Sequence, residues 1–279
     1  MPHDVSVATR SDGLDQRSLE LRRMVVAALA GGRRGHLGSA LSLIEILRVL
    51  YDDVLRVDPD EPRWRLRDRC ILSKGHGCLG LYAILADKGF FDRAELDRFC
   101  HLDALLGGHP EAPRIPGVEA STGALGHGFS IAIGMALAAR LQRRDSRVFV
   151  IMGDGELNEG AVWEAAMCAG KHRLSHLTAI VDYNKHQSYG PTSEVQELEP
   201  LGDKWRSFGF SVREIDGHDV IQLGDVFARL PFHPQRPSAV ICHTVKGKGV
   251  SFAENNMAWH HKSKLGPEEI AALYAELDG

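Results

Sequence analysis

The sequence predicts an α/β fold, a parallel sheet of about five or six strands with helices on both faces. The first observation is that short, continuously apolar runs alternate along the chain with longer stretches whose apolar residues recur at helical spacing. Parallel strands joined by helices produce this alternation, because both faces of such a sheet are buried. The second observation is that no repeat and no low-complexity linker divides the 279 residues. We therefore expect a single domain over residues 1–279.

The apolar patterns assign the elements in chain order. The stripe over residues 16–30 predicts a helix that the pair Gly31-Gly32 ends, and a strongly apolar helix is expected over residues 41–55. Residues 101–117 read as a loop, and the glycine- and alanine-rich stretch 125–143 as a helix suited to close packing. Strands are expected at 70–73, 148–152, 177–182, 210–215 and 238–244, and the remaining helices at 79–88, 94–100, 159–171, 220–230 and 268–277.

Composition and charge exclude several classes of protein. The net charge of −4 gives no sign of nucleic-acid binding, and no apolar run approaches the ~20 residues that span a bilayer. Residues 1–17 are polar and lack the apolar core of a signal peptide. The five cysteines form no C-x-x-C pair and leave an odd count, which is typical of reduced thiols. We expect a cytoplasmic protein without nucleic-acid or membrane partners.

Oxygen-bearing side chains follow two of the predicted strands. Gly153-Asp154-Gly155 comes directly after strand 148–152, and Asn184 comes shortly after strand 177–182. If these parallel strands are neighbours, their carboxyl ends lie roughly 5 Å apart, or about 10 Å if one strand intervenes. Asp154 and Asn184 can then reach one hard cation such as Mg²⁺, which proteins hold together with phosphate oxygens. The flanking glycines and the following helix N-terminus favour a metal-diphosphate site, with a plain acidic turn as the alternative.

Four histidine segments stand beside glycines or in loops. They are Gly35-His36-Leu37-Gly38, Ser73-Lys74-Gly75-His76, Gly108-His109-Pro110-Glu111 and Trp259-His260-His261. A single histidine among glycines is more often a turn residue than a catalyst, but four such segments favour a shared site. Histidine moves protons near neutral pH, which suits acid–base chemistry.

These motifs together resemble the transketolase family. The run from Gly153 to Gly160, followed by Asn184, is similar to its thiamine-diphosphate motif, and the histidine segments occur in the family's order. The segment 122–128 resembles the stretch along the cofactor, and 244–250 resembles the loop after the last strand. Two positions depart from the family pattern, Leu37 in place of proline and His127 in place of glutamine. The resemblance runs from about residue 16 to the end of the chain and implies the thiamine-diphosphate-binding fold.

The resemblance also implies roles for particular residues. Asp154, Asn184 and the backbone carbonyl of His186 would hold Mg²⁺, for which Ca²⁺ or Mn²⁺ can substitute. His36, His109 and His260 would face the sugar and act in catalysis, with His260 rather than His261 placed at the family's position. Glu159 is a further catalytic expectation, because the family's equivalent acids link two active sites across a dimer interface; Glu164 is the second such acid. The thiamine diphosphate itself would be contacted by His76, Gly123, Leu125, Gly153, Asp154, Gly155, Glu156 and Asn184.

The matched motifs belong to the first domain of a full-length transketolase, the one that holds the diphosphate. The resemblance therefore implies the N-terminal subunit of a two-subunit transketolase, acting on sugar phosphates and assembling as a heterotetramer with a second chain that carries the pyrimidine domain. Two alternatives are the α subunit of a 2-oxo-acid dehydrogenase and a non-catalytic regulatory paralogue that binds thiamine diphosphate. The glycine-flanked histidines favour transketolase over the first, and retention of the metal and histidine residues disfavours the second.

Overall fold

The computed structural model describes residues 13–188 and 190–279. Residues 1–12 of the polar N-terminal segment lie outside the described residues. In chain order the helices are α1 Gln16–Gly32, α2 Leu37–Leu41, α3 Ile44–Val49, α4 Cys78–Asp87, α5 His127–Leu141, α6 Gly160–Lys171, α7 Thr192–Val195, α8 Leu201–Ser207, α9 Val220–Phe227 and α10 Pro267–Asp278. The strands are β1 Arg69–Leu72, β2 Val148–Gly153, β3 Leu177–Tyr183, β4 His186–Gln187, β5 Gly190–Pro191, β6 Ser211–Asp216 and β7 Ser238–His243.

Five strands form one parallel sheet in the order β1-β2-β3-β7-β6. The short strands β4 and β5 pair separately as an antiparallel hairpin beyond the end of β3. All side chains of β2 and β3 are buried, as expected for central strands that are covered on both faces. The predicted parallel α/β sheet is confirmed.

The alternation of side chains along β2 builds a separate core on each face of the sheet. Phe149 and Ile151 belong to the larger core, which includes α1 to α4, α9 and α10. Val148, Val150 and Met152 belong to the second core, which includes residues of α5, α6 and α8. Helices therefore cover both faces of the sheet, as predicted.

The largest departure from the predicted elements concerns residues 41–55. The structure has two helices in place of the one predicted. The first, α2, begins at Leu37, and a break at Ser42 and Leu43 separates it from α3. A π-helical turn at Leu50–Val54 follows α3 directly. The break allows a specific contact, because the Ser42 hydroxyl donates to Asp182 Oδ2 at 2.6 Å. A uniform apolar run predicts burial well, but it does not reveal a break that a distant polar partner stabilises.

Other differences are local. Gly31 and Gly32 do not stop α1 before them, because both belong to its last turn. A Cβ at Gly31 would collide with the Asp97 carbonyl oxygen, so this glycine permits close packing against the segment Arg93–Arg98. That segment is a 3₁₀ helix, where the sequence predicts a short helix over 94–100. The helix α8 and the β4–β5 hairpin were not predicted, because both are too short for a periodic pattern. Among the described helices, none has the length and apolar character needed to cross a membrane.

Candidate active site

The ends of β2 and β3 place the predicted metal ligands side by side. The register pairs Gly153 of β2 with Asp182 of β3, so Asp154 and Asn184 follow at neighbouring positions on the carboxyl edge of the sheet. Of the two arrangements that the sequence left open, the structure shows the one in which these parallel strands are neighbours. Ligands of open parallel sheets bind beyond this edge.

The Asp154 carboxylate is buried and is oriented by backbone amides. Its Oδ1 accepts from the Gly155 N–H at 2.7 Å, and its Oδ2 accepts from the Lys185 N–H. Burial, followed by the nearby Asp182 carboxylate, raises the pKa of Asp154 to about 6. A carboxylate has about four lone-pair sites, so two amide contacts leave capacity for a cation. A cation would also offset the cost of the buried charge.

The other predicted ligands complete a set of oxygen donors. Asn184 Oδ1 accepts from the His186 N–H at 3.1 Å, so it points back along the same turn. The His186 carbonyl accepts from Lys246 Nζ at 3.1 Å, which shows that this oxygen already faces a positive charge. A carboxylate, an amide oxygen and a backbone carbonyl are the donors that Mg²⁺ and Ca²⁺ prefer. The donor types of these three residues suit a hard divalent cation, which would replace the Lys246 ammonium at the His186 carbonyl.

A cavity of about 250 Å³ lies over these residues. Ser39 was not predicted to line it. Its Oγ is buried there and has no hydrogen-bond partner within the described part of the chain, which leaves a polar atom for a ligand. A Cβ at Gly155 would lie 2.7 Å from Gln187 Cβ, so this position of the cavity wall requires glycine. The predicted residues that line this cavity are His76, Leu125, Gly153, Asp154, Gly155, Glu156, Glu159, Asn184, His186 and His260.

Asp182 organises the floor of this cavity, although the sequence, in which it stands two residues before Asn184, gave it no role. Its Oδ2 accepts from Lys74 Nζ at 2.5 Å, and its Oδ1 accepts from the Thr244 hydroxyl. Burial acts to raise the pKa of Asp182, but the Lys74 ammonium and the other donors lower it below its ordinary value. Lys74 and Lys246 both line the cavity and are buried, so the floor carries two cations that suit a diphosphate. Both lysines stand inside motifs noted in the sequence, next to the glycines that drew attention to those motifs.

Glu156 braces three segments around the cavity. Its Oε1 accepts from the Ser73 hydroxyl and from the Gly126 N–H at 2.9 Å, and its Oε2 accepts from the Gly153 N–H at 3.2 Å. Burial raises the pKa of Glu156, while these donors oppose the rise. The sequence predicts that this carboxylate contacts the cofactor, but in the structure it accepts hydrogen bonds from three protein groups. These hydrogen bonds connect β1, β2 and the loop before α5.

The predicted histidines form one cluster with His36 at its centre. Its ring centroid lies 5.4 Å from that of His76, 6.3 Å from that of His109 and 5.9 Å from that of His260. His261 is closer still, at 4.5 Å. The backbone bridge between Gly35 and Lys262 explains this proximity, because it pairs the segment before α2 with the segment after Trp259.

The cluster spans two cavities. His76 and His260 line the first cavity, whereas His36, His109 and His261 line a second one next to it. Gly123 lines neither; it lies beneath the His109 ring, where a Cβ would approach His109 Cδ2 to 2.7 Å.

Burial and neighbouring cations keep these histidines uncharged. Burial, followed by the charge of His261, lowers the pKa of His36 to about 4, and burial, followed by Lys246, lowers that of His260 to about 3. The pKa of His76 is lowered well below its usual range for the same reasons, beginning with burial and Lys74. Burial also lowers the pKa of His109. Each neutral imidazole has one donor and one acceptor nitrogen, so near pH 7 the cluster is suited to hydrogen bonding with the hydroxyl groups of a substrate.

We expect acid to destabilise the folded chain through these histidines. A histidine whose pKa falls from 6.5 to about 4 on folding, as for His36, binds fewer protons in the folded state, so stability decreases as pH drops from 6.5 toward 4. The raised pKa of Asp154, about 6 against 3.8, acts in the opposite direction between those two values. Urea unfolding of the metal-free chain at about pH 7 and about pH 5 should therefore show a smaller loss for His36→Gln than for the wild type. His172→Gln, at an exposed position after α6, is the control, and an equal loss in wild type and His36→Gln would refute the assignment.

A buried network holds the loop that carries Lys246. His218 Nδ1 lies 2.8 Å from Glu45 Oε2, and His218 Nε2 accepts from the Val245 N–H at 2.8 Å. On the other side of Glu45, Arg22 is fully buried and also donates to the Lys248 carbonyl at 2.8 Å. These contacts connect the loop after β7 to α1 and α3. Buried residues of these helices therefore fix the position of the loop that carries Lys246 to the floor of the first cavity.

Glu159 precedes α6 and lines the first cavity, whereas Glu164 lies within α6. Glu159 is exposed and lines the cavity, and a Cβ at Gly126 would lie 2.7 Å from the Glu159 Cβ. Glu164 is exposed further along the helix. His127 is exposed at the start of α5, where its Nδ1 lies 3.1 Å from the Leu125 carbonyl. These three residues present titratable groups on the outer side of α5 and α6.

The family whose model matches residues 15–278 is described as the thiamine diphosphate binding domain of transketolase. The SqwG subunit of 6-deoxy-6-sulfo-D-fructose transketolase from Clostridium sp. (strain MSTE9) is 42% identical over 95% of this chain and 96% of its own length. An apulose-4-phosphate transketolase subunit from Phocaeicola vulgatus is 41% identical over 89% of this chain and 88% of its own.

Full-length relatives match over a smaller share of their own length. Human transketolase is 33% identical over 92% of this chain and 41% of its own length. The crystal structure of transketolase from Campylobacter jejuni superposes with a TM-score of 0.87 at 30% identity, covering 94% of this chain and 42% of that chain. Transketolase from Leishmania mexicana gives a TM-score of 0.86 at 31% identity over 97% of this chain and 42% of its own.

Proposed function

The chain belongs to the transketolase family, and from this premise we propose that it is the N-terminal, diphosphate-binding subunit of a two-subunit transketolase. The reaction is transfer of a two-carbon ketol unit from a ketose phosphate to an aldose phosphate. Relatives that match over 88% and 96% of their own length are named as transketolase subunits, which supports a separate N-terminal subunit.

The observation that carries this proposal is that a set of oxygen donors and a cluster of histidines lie next to each other. An oxygen-donor set for a divalent cation, formed by Asp154, Asn184 and the His186 carbonyl, lies at the floor of the first cavity. A cluster of neutral histidines around His36 begins in the same cavity and continues into the next. A cofactor diphosphate and a polyhydroxylated substrate need these two kinds of site side by side.

Asp154, Asn184 and the His186 carbonyl would hold Mg²⁺ against the diphosphate, and Ca²⁺ or Mn²⁺ has the same preference for oxygen donors. Lys74, Lys246 and the Ser39 hydroxyl would add donors toward the phosphate oxygens. The Gly155 N–H already donates to Asp154, so a diphosphate contact from that amide would exchange this hydrogen bond. When bound, thiamine diphosphate supplies the carbanion chemistry that cleaves a carbon–carbon bond.

Proton transfer falls to the histidines. His260 Nδ1 is buried and has no hydrogen-bond partner among the described residues, so it is the nitrogen available to a substrate hydroxyl. His36 and His109 line the adjoining cavity and are expected to orient the sugar hydroxyls and accept their protons. All three are neutral before substrate binds, because their pKa values are lowered, and proton acceptance requires that the bound substrate and cofactor raise those values toward neutral pH.

The pyrimidine half of the cofactor requires a second set of binding residues, which we assign to a partner polypeptide. The family match describes only the diphosphate-binding domain, and full-length relatives are more than twice as long as the matched part. Self-association is supported by α5 and α6, which expose Ile131 (38%) and Met167 (53%) beside Glu159 and Glu164. Together these features favour a heterotetramer with two copies of each subunit.

The comparisons favour transketolase over the α subunit of a 2-oxo-acid dehydrogenase. A regulatory paralogue would lack turnover even with its partner, so an assay separates it from the enzyme. Three of the five cysteines are buried and none is paired, which supports the expected cytoplasmic location.

We expect the chain to be inactive alone and active only with its partner, because a half-site cannot hold the aminopyrimidine. The test is ketol transfer from several ketose phosphates with thiamine diphosphate and Mg²⁺, first with the chain alone and then with a second chain that carries the pyrimidine domain. Sedimentation analysis of the mixture gives the subunit ratio. Full activity of the chain alone would overturn the two-subunit proposal, and no activity in any mixture would favour the regulatory alternative.

A further inference from the structure

A third cavity lies at the opposite edge of the sheet from the proposed metal ligands. Its volume is about 230 Å³, and it is lined by the end of α5 and by the segment that joins α6 to β3. The basic residues that line it are Arg140, Arg143, Arg144, Arg173 and His176. Asn184 follows the far end of β3, a strand of seven residues, so it lies roughly 20 Å away. The third cavity is therefore separate from the proposed cofactor and substrate site.

The charges of the four arginines in this cavity are not balanced by acidic side chains. No carboxylate lines the cavity among the residues that the structure describes. Three of the arginines donate to neutral oxygens, which are two backbone carbonyls and the side-chain amide of Gln235. None of the four forms an ion pair within residues 13–188 and 190–279. The adjacent acid, Asp145, pairs instead with Arg56 at 2.8 Å.

Helix ends offset only a small part of this charge. Both α5 and α6 end at the cavity, and the C-terminus of a helix carries about −0.5 of an elementary charge. The two ends together therefore offset roughly one of the four positive charges. Burial lowers the pKa of the Arg69 guanidinium, Glu119 opposes that effect, and the charges of Arg67 and Arg144 add to it. Arg144 thus acts on its surroundings as an unbalanced positive charge.

The arginines are held at the cavity without an acidic partner. Arg140 donates to the His172 carbonyl at 2.5 Å, which fixes the end of α5 against the end of α6. Arg143 and Arg173 each follow the end of a helix and have positive φ angles of 54° and 50°. Glycine or asparagine is the usual residue at such a position, so the turn itself does not account for arginine at both. A ligand that draws on both guanidinium groups does account for them.

We propose that the third cavity binds a small anion with two phosphate groups, such as inorganic diphosphate or a bisphosphorylated metabolite. Guanidinium groups suit phosphate because they donate two parallel hydrogen bonds to it. Two phosphate groups carry about three to four negative charges near pH 7, which matches the charge that the helix ends leave over. The cavity is smaller than the ~300–1,000 Å³ of most ligand pockets, which favours a compact anion over a whole nucleotide. This inference goes beyond the proposed function and does not rest on it.

Calorimetric titration of inorganic diphosphate into the isolated full chain tests this site. EDTA is present, so that no divalent cation holds the anion in the first cavity. Arg143→Gln and Arg173→Gln should each weaken binding by about tenfold, the usual effect of losing a hydrogen bond between charged groups. Arg229→Gln removes the same charge at an exposed position that does not line the cavity, so it should bind as the wild type does. Wild-type affinity in all three variants, or no binding by the wild type, would overturn the proposal.

Backbone hydrogen exchange shows which cavity the anion occupies. Diphosphate should slow exchange in residues 139–147 and 171–177 and leave residues 153–160 and 184–188 unchanged. Slower exchange confined to the second pair of segments would place the anion in the first cavity and refute the assignment.

Parallel titrations identify the chemistry of the ligand. Inorganic diphosphate and fructose 1,6-bisphosphate represent its two sources, and the tighter of the two identifies the source. Sulfate at the same ionic strength should bind far more weakly than either, because it has a single anionic group to share among the arginines. Equal affinity for sulfate would contradict a site built for two phosphates.

Discussion

Replacing Asp154 with alanine is expected to lower ketol transfer by the assembled enzyme by more than about 100-fold. Loss of a group that merely supports a metal ligand typically costs about 10- to 100-fold in metal affinity, so loss of the carboxylate itself should cost more. Asp154 is the carboxylate of the proposed cation set, and a hard cation loses its anionic protein ligand with it. Steady-state kinetics of ketol transfer by the mutant with its partner measure the effect, and calorimetric titration of Mg²⁺ and thiamine diphosphate into the same mixture shows whether binding is lost.

Stability distinguishes this loss of function from a loss of folding. Folding raises the pKa of Asp154 from 3.8 to about 6, so the charged carboxylate destabilises the folded, metal-free chain. This destabilisation is fully present above about pH 6 and decreases as pH falls toward 3.8. Asp154→Asn removes this charge, but it also turns one of the two accepting oxygens into an NH2 group that faces a backbone N–H. The difference in urea midpoint between Asp154→Asn and the metal-free wild type should therefore shift in favour of the mutant as pH rises from about 4 to about 7.5. Asp225→Asn, at an exposed position on α9, is the control. Cofactor binding at unchanged affinity in Asp154→Ala would exclude the metal site as assigned.

His109→Ala is expected to reduce kcat/KM by about 10²- to 10⁴-fold, the range typical of general acid–base groups. Cofactor affinity should change far less, because His109 lines the second cavity, whereas the proposed metal ligands line the first. The separation of the two effects is the diagnostic result, since a structural role would weaken both. Near-normal turnover would make His109 a turn residue that packs on Gly123.

The control for this variant is His172→Ala, which removes an exposed histidine at the end of α6. Calorimetric titration with thiamine diphosphate and Mg²⁺, alongside the kinetics, gives both quantities on the same preparation. A parallel loss of cofactor binding in His109→Ala would instead point to disturbance of the loop beneath the ring, where Gly123 adopts φ +147°.

Much of the fold was accessible from local pattern. The five strands of the parallel sheet were each predicted. Four of them contain a short apolar run next to a turn signal, whereas β6 has only scattered apolar residues among charged ones. The elements that were not predicted are too short to show a helical or strand period of apolar residues, such as α8 at Leu201–Ser207 and the β4–β5 hairpin. The break at Ser42 was not predicted, because the residue that the Ser42 hydroxyl contacts there, Asp182, lies 140 residues away in the chain.

The sequence by itself determined the order of strands and helices, the position of Asp154 and Asn184 just beyond two strand ends, and the set of histidines beside glycines. These are local facts, since a residue's place in a turn depends on its immediate neighbours.

Only the tertiary structure decided which of those residues share a cavity. It brought Lys74 to Asp182 across 108 residues, placed Lys246 on the His186 carbonyl, and divided the histidine cluster between two cavities. It also set the charge states, because burial and neighbouring cations lower the pKa of His36 and His260 while burial beside Asp182 raises that of Asp154. The physical reason is that burial and the distances between charges depend on packing between distant segments, and no local pattern encodes them.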